Sequence, residues 1–208
     1  MQTNLNESGE DAPHKSAFRG PEQDGLIVRP TSALTQARAL SGMVVMGVSG
    51  CGKSSIAQSL AAKLGWEMVE GDQLHPPANI ARMSAGIPLE DADRLPWLDA
   101  IAGVVEDWRI QGRPGVVTCS SLKKHYRERL TGRIKDVCFV YLAGTEEQIM
   151  PRLSMRTGHF MPTTLLRSQF DALEEPGEDE IALYVSLEAS VEEIVSAVIR
   201  VLKPLLAS

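Results

Sequence analysis

Apolar residues along this chain fall into two rhythms. Short, nearly continuous runs occur at residues 43–47 (MVVMG), 67–71 (EMVEG), 115–120 (GVVTCS), 137–142 (VCFVYL) and 181–187 (IALYVSL), the pattern of strands buried on both faces of a parallel sheet. Between them, apolar positions recur at helical spacing: Trp97, Ile101, Val104 and Trp108 share one face, as do Ile194, Val198 and Leu202. Gly65 is placed to end the first of these helices, and Pro76-Pro77 suits the first turn of another, where a missing N–H costs little. Strands alternating with helices predict a three-layer α/β domain with a five-stranded parallel sheet flanked by helices. Residues 1–40 keep no such period and mix Gly, Pro, Gln, Asp and Glu with one aromatic, Phe18. They are expected to form a disordered N-terminal extension, leaving 41–208 as the folded domain.

Bulk properties narrow the function classes. The chain has 208 residues, 43% of them apolar, enough for one substantial core. A net charge of -6 argues against nucleic-acid or anionic-membrane partners, which reward a basic surface. Three cysteines, Cys51, Cys119 and Cys138, have spacings that fit neither a disulfide framework nor a zinc site. No apolar run approaches the ~20 residues of a membrane span, and the opening residues MQTNLNESGED lack the basic flank and apolar stretch of a secretion signal. A cytoplasmic location is expected.

The chemistry is concentrated in Gly47-Val48-Ser49-Gly50-Cys51-Gly52-Lys53-Ser54, which matches the phosphate-binding pattern GxxxxGK[ST] between an expected strand and an expected helix. Glycines let successive backbone N–H groups and the helix N-terminus converge on one anion. Residues Gly47, Ser49, Gly50, Cys51, Gly52, Lys53, Ser54 and Ser55 are thus candidates for holding ATP. In this arrangement Lys53 bridges the outer phosphates and Ser54 binds Mg2+, with Asp72 reaching the metal through water. GTPase motifs are missing, and the 115–120 strand ends in Ser120 and Ser121 rather than the aspartate of a motor-type ATPase. The acidic residue follows the second strand instead, as Asp72. Its place at a strand end beside the phosphate loop suits a group that orients or deprotonates a substrate hydroxyl.

From Gly47 to about Gly177 the chain resembles the bacterial-type gluconokinases, among the shikimate-kinase-like and nucleoside-monophosphate-kinase-like P-loop kinases. The motifs carrying the resemblance are MGVSGCGKS (46–54), GDQLHPPANIARMSAGIPLEDADRLPWL (71–98), CSSLKKHYRERL (119–130), RLSMRTGHF (152–160) and QFDALEEPGEDE (169–180). The resemblance implies transfer of the γ-phosphate of ATP to the 6-hydroxyl of D-gluconate, and a homodimer. Two departures stand out: Cys51 where Ser or Gly is usual, and Glu70-Gly71-Asp72 where Asp-Gly-Asp is usual.

A sugar acid offers one carboxylate and a row of hydroxyls, so its pocket needs a cation and several neutral partners. The candidates are His75, one turn beyond Asp72; Arg82, on the same face if the helix is continuous; and Lys123 and Arg127, four apart after the third strand. Arg152 and Arg156, also four apart, are expected on a mobile lid hinged at Gly158, closing over the transferred phosphoryl group, with His159 near the substrate. Two readings remain beside the gluconokinase one. Another small hydroxylated acid such as shikimate, or a nucleoside monophosphate, would keep the fold; a non-catalytic nucleotide-binding regulator would use the 40-residue extension as its partner-binding element.

Overall fold

The computed structural model describes residues 27–132, 134–154 and 164–206. In chain order its elements are β1 (Val28–Pro30), α1 (Ser32–Gln36), β2 (Gly42–Met46), α2 (Lys53–Leu64), β3 (Glu67–Val69), a 3₁₀ turn (Gly71–Leu74), α3 (Pro77–Ser84), α4 (Asp91–Gln111), β4 (Gly115–Thr118), α5 (Lys124–Thr131), β5 (Val137–Ala143), α6 (Glu146–Ser154), α7 (Thr164–Ala172), β6 (Ala182–Ser186) and α8 (Val191–Leu202). The sheet runs β1-β6-β5-β2-β4-β3. All five strands expected from the apolar runs are present and parallel to one another.

Alternation along the strands makes the three layers. In β2, Met43 and Val45 join the core beneath α2 and α8, whereas Val44 and Met46 join the core beneath α4. The same split divides Val140 from Phe139 in β5 and Val116 from Val117 in β4. A strand buried on both faces has no polar side, hence the unbroken runs. On α4 the buried stripe is Trp97, Leu98, Ile101, Val105 and Trp108; Val104, expected on that face, is only partly buried and Val105 takes its place.

Two expectations are corrected. The sheet has six strands rather than five, because β1 adds antiparallel to β6, Val28 facing Val185 and Pro30 facing Leu183. For the same reason the folded domain starts by Ile27 instead of near residue 41. Unpaired backbone groups on the edge of β6 reward any short extended segment that reaches them. Three anchors hold this one: the Thr31 hydroxyl donates to Glu180 O at 2.7 Å, Arg29 pairs with Glu178 at 2.8 Å, and Leu34 is 2% exposed. Residues 1–26 lie outside the described residues.

Candidate active site

Parallel strands bring their carboxyl ends to one edge, and the chain order reverses beside β2, where open α/β sheets form a crevice. The loop after β2 is the phosphate loop. Gly52 is the N-cap of α2 in the left-handed region, φ 101°, and no side chain caps that helix, which leaves its first N–H groups facing outward for an anion. Lys53 folds back over the loop, Nζ donating to Gly47 O at 3.1 Å and Val48 O at 3.0 Å, while Ser54 and Ser55 are exposed at the helix start. The Cys51 side chain is 1% exposed and packs under Gly47, so it offers a ligand only its backbone.

Neighbouring strands brace the loop. Gly47 N–H donates to Ser120 O at 3.3 Å. From α7, Gln169 grips Ser49: its Oε1 accepts the Ser49 N–H at 2.7 Å and its Nε2 donates to Ser49 Oγ at 3.2 Å. Gln169 opens the 169–180 motif, but its 120-residue separation from Ser49 gives no sign in the sequence that the two meet.

On the other side of β4 stands Asp72, exposed in the 3₁₀ turn that follows β3. The turn is pinned firmly. Thr118 Oγ1 accepts the Gly71 N–H at 3.0 Å and donates to the Glu70 carboxylate, and Trp97 Nε1 donates to Gly71 O at 2.7 Å. A Cβ at Gly71 would lie 1.9 Å from Thr118 O, so only glycine allows this approach. Lys53 follows β2 and Asp72 follows β3, the two strands on either side of β4, so they flank the end of β4, just past which lies the buried Cys119 thiol. Burial, opposed by hydrogen bonds to Ser121, pushes that thiol up to about 11.

His75 closes the turn. Its ring stacks on Trp97 at 4.1 Å, with 14° between planes, and its Nδ1 faces the Asn79 amide at 3.4 Å. Asn79 Nδ2 donates, so Nδ1 accepts and Nε2 carries the proton. Desolvation lowers the His75 pKa from 6.5 to about 4, against the pull of Asp72 and with help from Arg94, so the ring is neutral at neutral pH. The helix continuity assumed for Arg82 fails: the chain is extended at His75 and Pro76 before α3 begins. Arg82 lies 3.5 Å from Asp93 and donates weakly to Pro88 O.

The expected Lys123–Arg127 pair does not form. Lys123 is the extended residue preceding α5, φ −104° and ψ 148°, so the two do not share a helical face. Its ammonium holds Asp91 at 2.8 Å; with a second hydrogen bond from Tyr126, this keeps the Asp91 carboxyl at about 2. Arg127 is 1% exposed and fully engaged, gripping Glu180 at 2.7 and 2.9 Å and donating to Ser121 O and Glu174 O. It is a buried cation whose donors are taken up within the fold. Arg152, at the end of α6, donates to Leu187 O at 2.9 Å, just past β6. Its neighbour Leu153 packs at the phosphate loop, 3.3 Å from where a Gly50 Cβ would stand, so Arg152 belongs to the same edge of the sheet. Arg156, Gly158 and His159, the remaining lid candidates, lie outside the described residues.

Among the described residues no group of three His, Cys, Asp or Glu side chains could hold a metal. The exposed hydroxyl of Ser54 and the exposed carboxylate of Asp72 are oxygen donors of the kind a largely hydrated magnesium ion takes. No helix is long and apolar enough to cross a membrane among the same residues.

Comparison with known proteins agrees with this geometry. Residues 49–203 match the family described as shikimate kinase. The chain is similar to a gluconokinase of Gluconobacter oxydans, 46% identical over 162 residues, which cover 76% of this chain and 89% of that one. It is similar also to the thermoresistant gluconokinase of Escherichia coli, at 42% over 161 residues, 77% and 92% of the two chains. Among solved structures, a gluconokinase from Sinorhizobium meliloti superposes with a TM-score of 0.71 at 43% identity, covering 80% of this chain and 94% of that one.

Proposed function

Because the chain belongs to the gluconokinase family of shikimate-kinase-like P-loop kinases, we propose that it phosphorylates D-gluconate at the 6-hydroxyl, giving 6-phosphogluconate and ADP. The observation that carries this reading is the pairing of an open anion cradle with a rigidly held, exposed carboxylate, Lys53 and Asp72 flanking the end of one strand.

The cradle and Lys53 bind the ATP phosphates and neutralise charge as the γ-phosphoryl group loosens. Magnesium would be held by Ser54 and, through water, by Asp72, and supplies further charge neutralisation when bound. Asp72 accepts the proton of the 6-hydroxyl while that oxygen attacks phosphorus in line with the departing ADP oxygen. His75, neutral with its proton on Nε2, donates to a substrate hydroxyl without adding charge. Arg152 and Arg156 close over the transferred group, and closure keeps water from taking the hydroxyl's place. The active species is a cytoplasmic homodimer in this reading, following the family resemblance.

A coupled ADP-release assay with Mg-ATP against gluconate, its stereoisomers, glucose, shikimate and AMP tests the proposal. Saturable turnover is expected with gluconate, and Asp72→Asn lowers kcat by about 10²- to 10⁴-fold. Turnover confined to another member of the panel keeps the kinase and removes gluconate.

A further inference from the structure

We infer that Arg94 is the receptor for the substrate's carboxylate, and thus the residue that selects a sugar acid over a neutral polyol. The inference rests on the sugar-acid kinase reading above and goes beyond it by assigning the acid-recognising group to a residue that sequence reasoning passed over.

Arg94 lies in the first turn of α4, one turn before Trp97, the residue on which His75 stacks. It is half-buried, beside the Tyr126 ring at 6.0 Å. Its guanidinium offers five N–H donors, yet its hydrogen bond is a 3.3 Å contact from Nη2 to Leu89 O, and among the described residues it has no carboxylate within ion-pair distance. Cations of the neighbouring α3 and α5, and Lys123 just before α5, are already committed: Lys123 to Asp91 at 2.8 Å, Arg82 to Asp93 at 3.5 Å, Arg127 to Glu180 at 2.7 Å and Arg129 to Asp99 at 2.6 Å. The acids flanking it on α4 are likewise committed, Asp91 to Lys123 and Tyr126, and Asp93 to the Glu90 N–H and Arg82. A partly desolvated guanidinium with unused donors gains most from an anion that arrives from outside, and its planar fork fits a carboxylate in two parallel hydrogen bonds.

Position supports the same assignment. Trp97, one turn after Arg94, stacks on the His75 ring and holds the carbonyl oxygen of Gly71, the residue before Asp72, so one indole links the cation's helix to the turn that carries the base. In gluconate the carboxylate and the 6-hydroxyl are at opposite ends of the carbon chain. The group that holds the acid must therefore be distinct from the one that holds the reacting hydroxyl, with neutral partners such as His75 between them.

The test compares wild type with Arg94→Ala and Arg94→Lys on gluconate and on gluconamide, which keeps every hydroxyl and lacks the charge. Kd is read by calorimetry and kcat/KM by ADP release, with melting temperature as the check on folding. Arg94→Ala is expected to weaken gluconate about 50-fold, by loss of charge-assisted hydrogen bonds, while gluconamide affinity moves less than about threefold and Arg94→Lys falls between. Equal losses for gluconate and gluconamide, or none for gluconate, would overturn the assignment. If Arg94→Ala does not fold, Arg94→Lys and Arg94→Gln carry the same comparison. Wild-type turnover tests the substrate reading separately: with a different acid, the comparison is run on that acid and its amide. If wild type phosphorylates only a neutral polyol, the assignment of Arg94 falls.

Discussion

The phosphate loop and the proposed substrate wall lie at the same end of the sheet, but they are assembled differently. Residues 47–54 form the first in one unbroken run, and it binds mainly through backbone N–H groups whose direction the strand-turn-helix geometry dictates. The second is gathered from the turn after β3, the first turn of α4 and the segment before α5, and it works through side chains. Charged side chains brought together there can pair with one another before any substrate arrives, as Lys123 does with Asp91 and Arg82 with Asp93. A backbone cradle has no such internal competitor, apart from the Lys53 tail resting on its carbonyls.

Four substitutions press on this contrast. Lys53→Ala should have the largest effect, lowering kcat about 10²- to 10³-fold, because a charge aimed at the moving phosphoryl group is lost. The melting temperature should hardly change, since Lys53 bonds only to carbonyls of its own loop; a large loss of stability would place Lys53 with the structural cations instead. Arg127→Met is the converse. It leaves Glu180 partly buried without its partner and is expected to cost about 3–5 kcal/mol of unfolding free energy, read by chemical denaturation, while the KM for gluconate of the folded enzyme stays near wild type. A raised KM at unchanged stability would return Arg127 to the substrate wall.

His75 sharpens the comparison through pH. Its pKa falls from 6.5 to about 4 on folding, so the unfolded chain binds the proton more readily. The stabilising contribution is full above pH 6.5 and is lost as pH falls toward 4, by roughly 3 kcal/mol at most. Unfolding free energy measured across that window should drop in wild type and drop less in His75→Gln. The smallest effect belongs to the edge of the fold. Thr31→Ala removes the cap of α1 and its bond to Glu180 O and should lower unfolding free energy by about 1 kcal/mol without altering kcat, since β1 is at the far edge of the sheet from β3.

Some of this was legible in advance and some was not. Five strands stood out because burial on both faces leaves continuous apolar runs, whereas β1 escaped notice because three residues ending in Pro30 carry no period at all. Lys123 and Arg127 were paired by counting four along an assumed helix, and the helix begins one residue too late for that count. Arg94 lies inside a motif that carries the resemblance, yet its lack of an ion-pair partner among the described residues is a property of its neighbours, Asp91 and Asp93 being paired elsewhere, and not of its spacing.

By itself, then, the sequence determined the parallel α/β layering, the phosphate loop and the acidic residue after the second strand, because each rests on local periodicity or on backbone geometry that a short run specifies. Tertiary structure decided that β1 completes the sheet, that Gln169 braces Ser49, that Arg127 is buried and that Arg94 forms no ion pair among the described residues. The physical reason is that a charge's role depends on which opposite charges fold within a few ångströms of it, and those come from segments far apart in the chain.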